Sequence, residues 1–135
     1  GLKVDYVLID CPPSLALLTV NALVAADQVL IPSTPEYLAL RGIALIYDSI
    51  RRVRRNLNDD LKILGVLITF YDSRVRHAED VIEALDEQGV KVLAPRVRRS
   101  IRFAESATEN EPILTFDPSN PSVPEYRALA EIIDG

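Results

Sequence analysis

Asp10 is the first residue of this chain placed to do chemistry. It ends the apolar run Val4-Asp5-Tyr6-Val7-Leu8-Ile9 and precedes Cys11-Pro12-Pro13. The run reads as a buried strand, stopped by prolines that cannot continue a ladder. A carboxylate at the C-terminal end of a buried parallel strand lies where open α/β sheets bind ligands, and it can hold a divalent cation through water. The same position suits an Asp that caps the next helix, and position alone does not separate the two. Cys11, the single cysteine, has no catalytic partner close in sequence and reads as a buried structural thiol. It allows no internal disulfide and fits a reducing cytoplasm.

The five glycines, Gly1, Gly42, Gly65, Gly89 and Gly135, stand too far apart for a phosphate-cradling loop. His77 is the only histidine and reads as a surface helix residue, and no Cys/His cluster points to a transition metal. Arginine is the conspicuous residue: 12 of 15 cationic side chains are Arg, although the net charge is −5. Arg51, Arg52, Arg54 and Arg55 form one group, Arg74 and Arg76 a second, and Arg96, Arg98, Arg99 and Arg102 a third. The first reads as a solvated helix end, where cations suit the dipole. The third sits at a strand-to-helix junction, where phosphate binding and structural ion pairing are equally open readings. Acids gather elsewhere, at Glu79, Asp80, Glu83, Asp86 and Glu87, so local basic surface coexists with an acidic total.

These residues need a scaffold. The sequence predicts a buried helix over Leu15 to Ala25 and a short strand at Val29-Leu30-Ile31. A long helix follows, started by Ser33-Thr34-Pro35-Glu36, with Ile43, Ile46, Tyr47, Ile50, Val53 and Leu57 on its apolar face. Further strands are expected over Lys62 to Phe70 and Val90 to Leu93, with an amphipathic helix over Arg76 to Gln88 between them, stopped by Gly89. A short helix over Phe103 to Glu109 and a last one opened by the capping pair Ser122 and Glu125 complete the pattern. Strands alternating with helices, several apolar on both faces, mean a single α/β domain over residues 1–135: a mostly parallel sheet with helices on both faces. No stretch is long and apolar enough to span a bilayer, no secretory signal opens the chain, and the absence of Met suggests that its start is a cut.

The segment Val7-Leu8-Ile9-Asp10-Cys11-Pro12-Pro13-Ser14 through Leu23 closely resembles the Walker B and switch II region of the ParA/Soj family. In order along the chain, Glu36-Tyr37-Leu38-Ala39-Leu40 is similar to the family's E-Y-x-A-L, and Gly65 through Asp72 to its G-V-L-L-T-x-Y-D strand. Arg99-Ser100-Ile101-Arg102-Phe103-Ala104-Glu105 is similar to its basic strand-to-helix segment. Phe116-Asp117-Pro118 and Tyr126-x-x-Leu129-Ala130 resemble its ending. Essentially the whole chain is covered.

The resemblance implies the C-terminal portion of a P-loop NTPase fold, from Walker B onward, without the phosphate loop. The parent would be a deviant Walker DNA-partition ATPase, cytoplasmic and nucleoid-associated. It would bind ATP and Mg2+, form a homodimer with ATP, bind DNA nonspecifically, respond to a ParB-type partner and make no use of a membrane. Asp10 would serve the Mg2+ and water network; Cys11, Pro12 and Pro13 would form the γ-phosphate switch. Thr69, Arg98 and Arg99 would lie near the adenine, and Arg99 and Arg102 would contact DNA. Two alternatives stand beside this: a non-enzymatic DNA- or partner-binding module of the same fold, and another deviant Walker ATPase positioning a different cargo. Arg98 in place of the family's Pro, Ser106-Ala107 in place of Ala-Pro, and Arg41 in place of Glu depart from the pattern.

Overall fold

The computed structural model describes residues 3–12 and 16–135. The order of elements is α1 (Leu17–Ala25), β1 (Gln28–Ser33), α2 (Tyr37–Asn56), β2 (Lys62–Tyr71), α3 (Arg76–Glu87), β3 (Val92–Arg98), α4 (Arg102–Thr108), α5 (Ile113–Phe116) and α6 (Val123–Asp134). The three strands form one parallel sheet in the order β1-β2-β3.

The alternation of strand side chains splits the core into two layers. Val66 and Ile68 of β2 pack with Ile31 of β1 and with Ile43, Tyr47, Ile50 and Val53 of α2 and Val81, Ile82 and Leu85 of α3. Leu67 points the other way, to Leu93 and Val97 of β3, Leu129 and Tyr126 of α6 and Phe103 of α4. Helices therefore cover both faces, as the doubly apolar strands require. Gly65 permits the closest approach within the sheet. It has φ +145°, and a Cβ there would lie 2.8 Å from the Lys91 carbonyl oxygen and 2.9 Å from Leu93. Gly89, at φ +71°, ends α3 as a left-handed stop, its N–H donating to the Asp86 carbonyl.

Several expectations are corrected. Val4–Ile9 forms no strand: it has no ladder partner among the described residues, and Val7 and Leu8 are 75% and 85% exposed. An apolar run without a neighbour has nothing to satisfy its backbone as a strand. The helix expected from Leu15 begins at Leu17, and Leu15 itself lies outside the described residues. It buries only Thr19 and Leu23, while Leu17 and Leu18 are exposed. α2 begins at Tyr37 without a side-chain cap, with Pro35 buried ahead of it. The strand expected at Val90–Leu93 instead runs Val92–Arg98, through Pro95. A proline fits there because β3 is an edge strand.

The expected capping pair of α6 is used otherwise. Ser122 Oγ accepts the Arg98 N–H at 3.0 Å and Glu125 Oε2 accepts the Arg96 N–H at 3.2 Å. Both donors lie on the outer side of β3, so these two side chains close the edge of the sheet.

Candidate functional site

The C-terminal ends of the three parallel strands put Ser33, Thr69–Tyr71 and Arg98 on one edge, the usual ligand edge of an α/β sheet. Thr69 Oγ1 donates to the Ser33 carbonyl at 3.2 Å, joining β2 to β1. Arg98 pairs with Tyr71 in the ladder, and the Arg99 N–H donates to the Tyr71 carbonyl at 3.2 Å. Thr69, Arg98 and Arg99 therefore lie at the same edge, Thr69 tied to β1 and Arg98 and Arg99 on the β3 side of β2. The Arg98 and Arg99 side chains are exposed and make no ion pair within 4 Å among the described residues.

Other arginines near this edge are held. Arg102 donates to Asp117 at 3.2 Å and to Glu105 at 2.5 Å, and its guanidinium lies 4.5 Å from the Phe116 ring centroid. Arg96 donates to Glu79 at 2.6 Å and covers the Tyr71 ring at 5.1 Å. The Tyr71 hydroxyl also donates to Glu79. That hydroxyl, with Arg96 second, holds the Glu79 carboxyl below its ordinary range. Arg74 binds Asp72 through its backbone N–H and guanidinium, lowering the Asp72 carboxyl to about 2.

The loop leaving β3 is fixed by a polar network. Asn120, buried, donates to Ser100 Oγ and to Asp117, and its amide oxygen accepts the Ser122 N–H. Ser100 Oγ in turn accepts the Arg102 N–H. The grip of the Asp117–Ser122 segment on the Arg98–Arg102 loop was not visible in sequence, because side-chain partners across 20 residues leave no local pattern.

Asp10 is exposed and follows no strand, Cys11 is half-buried with its thiol directed at the Ile9 carbonyl, and Pro12 is exposed. Pro13 lies outside the described residues. The described residues bring no group of three or more Asp, Glu, His or Cys together to hold a metal. Phe70, which the sequence did not single out, also lies on this edge, 60% exposed with φ +52°. A groove of 440 Å³ between β3 and α6, lined by Ala94, Pro95, Glu125 and Ile132, lies on the flank and contains none of the candidate residues.

Comparison with known proteins supplies the context for this edge. Residues 2–63 match a family described as an AAA domain. The chain is 41% identical to the sporulation initiation inhibitor protein Soj of Bacillus subtilis, over 94% of this chain and 51% of Soj. It is 43% identical to the chromosome partitioning protein ParA of Myxococcus xanthus, over 93% of this chain and 44% of that protein. The chain belongs to the ParA/Soj family. It spans about half the length of the curated ParA/Soj relatives it matches. Among solved structures it is similar to cobyrinic acid a,c-diamide synthase of Mycobacterium smegmatis, at 36% identity and a TM-score of 0.73, covering 90% of this chain and 43% of that one. A second structure of that enzyme holds ADP and magnesium. The ParA/Soj chain thus shares the parallel α/β fold of a nucleotide-binding enzyme. No helix among its described residues is long and apolar enough to cross a membrane.

Proposed function

We propose that this chain is the C-terminal part, from Walker B onward, of a deviant Walker DNA-partition ATPase. The longer protein binds ATP with Mg2+, dimerises, binds DNA nonspecifically and acts with a ParB-type partner in the cytoplasm, on the nucleoid. The observation that carries this reading is the position of Thr69, Arg98 and Arg99 at the ligand edge of a chain whose relatives are named for partition. Within the longer protein, Thr69, Arg98 and Arg99 serve the base side. Asp10 serves the Mg2+ network, and Cys11, Pro12 and Pro13 form the switch beside it. Bound Mg2+ neutralises charge on the transferring phosphate.

Arg99 and Arg102 are the DNA candidates, and their surroundings differ. Arg99 is exposed and makes no ion pair within 4 Å among the described residues, though its charge helps lower the Asp72 carboxyl, whereas Arg102 must release Asp117 or Glu105 to reach a phosphate. Each phosphate contact removed lowers the slope of log K against log salt by about 0.9 in size.

The test uses the longer parent. Asp10→Ala is expected to abolish hydrolysis while nucleotide still binds; near-normal turnover at saturating Mg2+-ATP rejects the role of Asp10. Arg99→Ala is expected to flatten the salt dependence of duplex binding on unrelated sequences alike, since phosphate contacts carry no base information. The chain alone is expected not to hydrolyse ATP, because its 135 residues contain no phosphate loop.

A second reading is a DNA- or partner-binding module of this fold without catalysis. A parent gene encoding no glycine-rich phosphate loop upstream would select it. The likeness to cobyrinic acid a,c-diamide synthase favours a third, a related ATPase serving a different cargo. A parent that hydrolyses ATP but shows no salt-dependent duplex binding would select that one.

A further inference from the structure

We propose that the groove between α1 and α2 is a docking site for an acidic amphipathic helix of a partner protein, independent of any nucleotide or DNA bound elsewhere. α2 leaves the C-terminal end of β1 and delivers the chain to the start of β2 at Lys62. Its arginine-rich last turns therefore lie at the end of the sheet opposite Thr69, Arg98 and Arg99. The Asn58 amide donates to the carbonyls of Leu23, Val24 and Ala26 and ties the end of α1 to the end of α2. Between the two helices runs a groove of 340 Å³ lined by Val20, Ser49, Arg52, Val53, Asn56 and Leu57.

The floor of this groove is apolar. Val20, Val53 and Leu57 supply it, and the polar side chains on the wall turn their donors inward. Ser49 Oγ donates to the Leu45 carbonyl at 3.0 Å, and Asn56 Nδ2 to the Arg52 carbonyl at 2.7 Å. Leu45 and Leu57 extend the apolar strip along α2 and are 64% and 60% exposed. The opposite wall is α1, which contains no charged residue and buries only Thr19 and Leu23. A helix apolar on every side belongs against a partner.

Charge selects the kind of partner. α2 carries Arg41, Arg51, Arg52, Arg54 and Arg55, and Asp48 is its only acid, although the chain as a whole has a net charge of −5. Arg51 pairs with Asp48 at 3.4 Å. Arg41, Arg52, Arg54 and Arg55 are exposed and make no ion pair within 4 Å among the described residues, even with Asp59 and Asp60 just beyond the helix. Arg41, Leu45, Ser49, Arg52 and Asn56 follow one another at the spacing of a single helix side. An apolar strip edged with guanidinium groups is the complement of a helix with aliphatic anchors about one turn apart and carboxylates beside them. A phosphate backbone would engage the arginines and leave Leu45 and Leu57 in water.

The test uses the longer parent and a labelled peptide of about 18 residues, roughly five helical turns, with leucine at the anchor spacing and glutamate elsewhere. Its counterpart carries lysine for glutamate. Fluorescence anisotropy is expected to show the glutamate peptide binding, less tightly as salt rises, and the lysine peptide binding at least about tenfold more weakly. Arg52→Gln with Arg55→Gln removes charge, and Leu45→Ser with Leu57→Ser removes apolar contact. Each pair is expected to weaken the glutamate peptide at least about fivefold. Melting should change little, since all four side chains are exposed. If one pair unfolds the parent, the other decides; unfolding by both makes these side chains structural and overturns the proposal. It also fails if the parent does not bind the glutamate peptide, as when an upstream segment already fills the groove, if the two peptides bind alike, or if the leucine pair leaves binding unchanged. A DNA duplex that displaces the glutamate peptide and is weakened only by the arginine pair assigns the surface to nucleic acid and overturns the proposal. Self-association of the parent that both pairs weaken assigns the groove to a second copy and overturns it likewise.

Discussion

Val4–Ile9 and Ile63–Ile68 are two six-residue runs of nearly equal apolar character. The second becomes the middle of the central strand, with Val66 and Ile68 fully buried. The first lies exposed and in no strand, tied to the rest through the Tyr6 hydroxyl and Asp134. The difference is company. β2 has a strand on each side and helices on each face; the described residues offer Val4–Ile9 no strand at all. β-Propensity measures fit to a pleated, half-buried surface, and it yields a strand only where that surface exists.

Amide hydrogen exchange gives the largest expected contrast. Residues 66–68 should exchange only on global unfolding and residues 4–9 close to the rate of open chain, orders of magnitude apart. Comparable protection in the two runs breaks the comparison. Truncation comes next. Ile68→Ala should cost about 2–5 kcal/mol, while Leu8→Ala, at an exposed position, should stay within about 0.5 kcal/mol. Chemical denaturation of both variants measures this, and an equal loss contradicts it.

Gly65→Ala sharpens the same point by disturbing the partnership rather than the run. Its Cβ would press on the Lys91 carbonyl, which cannot swing aside like a side chain, so a loss of roughly 1–3 kcal/mol is expected. Ser122→Ala leaves the Arg98 N–H at the β3 edge without its acceptor and should cost about 1–3 kcal/mol. If it proves neutral in thermal unfolding, the edge is satisfied in another way.

The smallest effect concerns pH. Glu79 is depressed below its ordinary 4.5 by the Tyr71 hydroxyl and Arg96. Its contribution is fully present above that ordinary value and disappears as pH falls through the lower folded value. The native chain should therefore exceed Glu79→Gln in melting temperature at neutral pH, and the gap should close in acid. The gap should be modest, since the carboxylate is nearly half exposed. A gap that widens in acid reverses the sign and rejects the assignment.

Much of the scaffold was legible because its signals are local. The apolar spacing of α2 and α3, the glycine after α3 and the doubly apolar β2 each state their structure within a dozen residues. The ParA/Soj resemblance singled out Thr69, Arg98 and Arg99, and the parallel sheet puts all three at its C-terminal edge. The fate of the arginine groups could not be read this way. The Arg96–Arg102 group divides into residues paired with acids and residues left exposed, because Glu79 and Asp117 come from other elements. Arg51, Arg52 and Arg55 stay on the solvent side of α2, as their spacing from its apolar face predicts. A bulge at Phe70, where β2 advances three residues against two of β3, was hidden for a similar reason: one extra residue in a strand shows only against its neighbour's register.

Ser122 and Glu125 leave α6 uncapped and spend their oxygens on the outer N–H groups of β3. The sheet is thereby given a direction of growth. A further strand, whether from a longer chain, a swapped copy or an aggregate, finds the donors of Arg96 and Arg98 already taken. The β1 flank has no such cover among the described residues, and only Pro32 subtracts a donor there. Lengthening of this sheet is steered to one side, and misassembly of the isolated chain should be sought at β1.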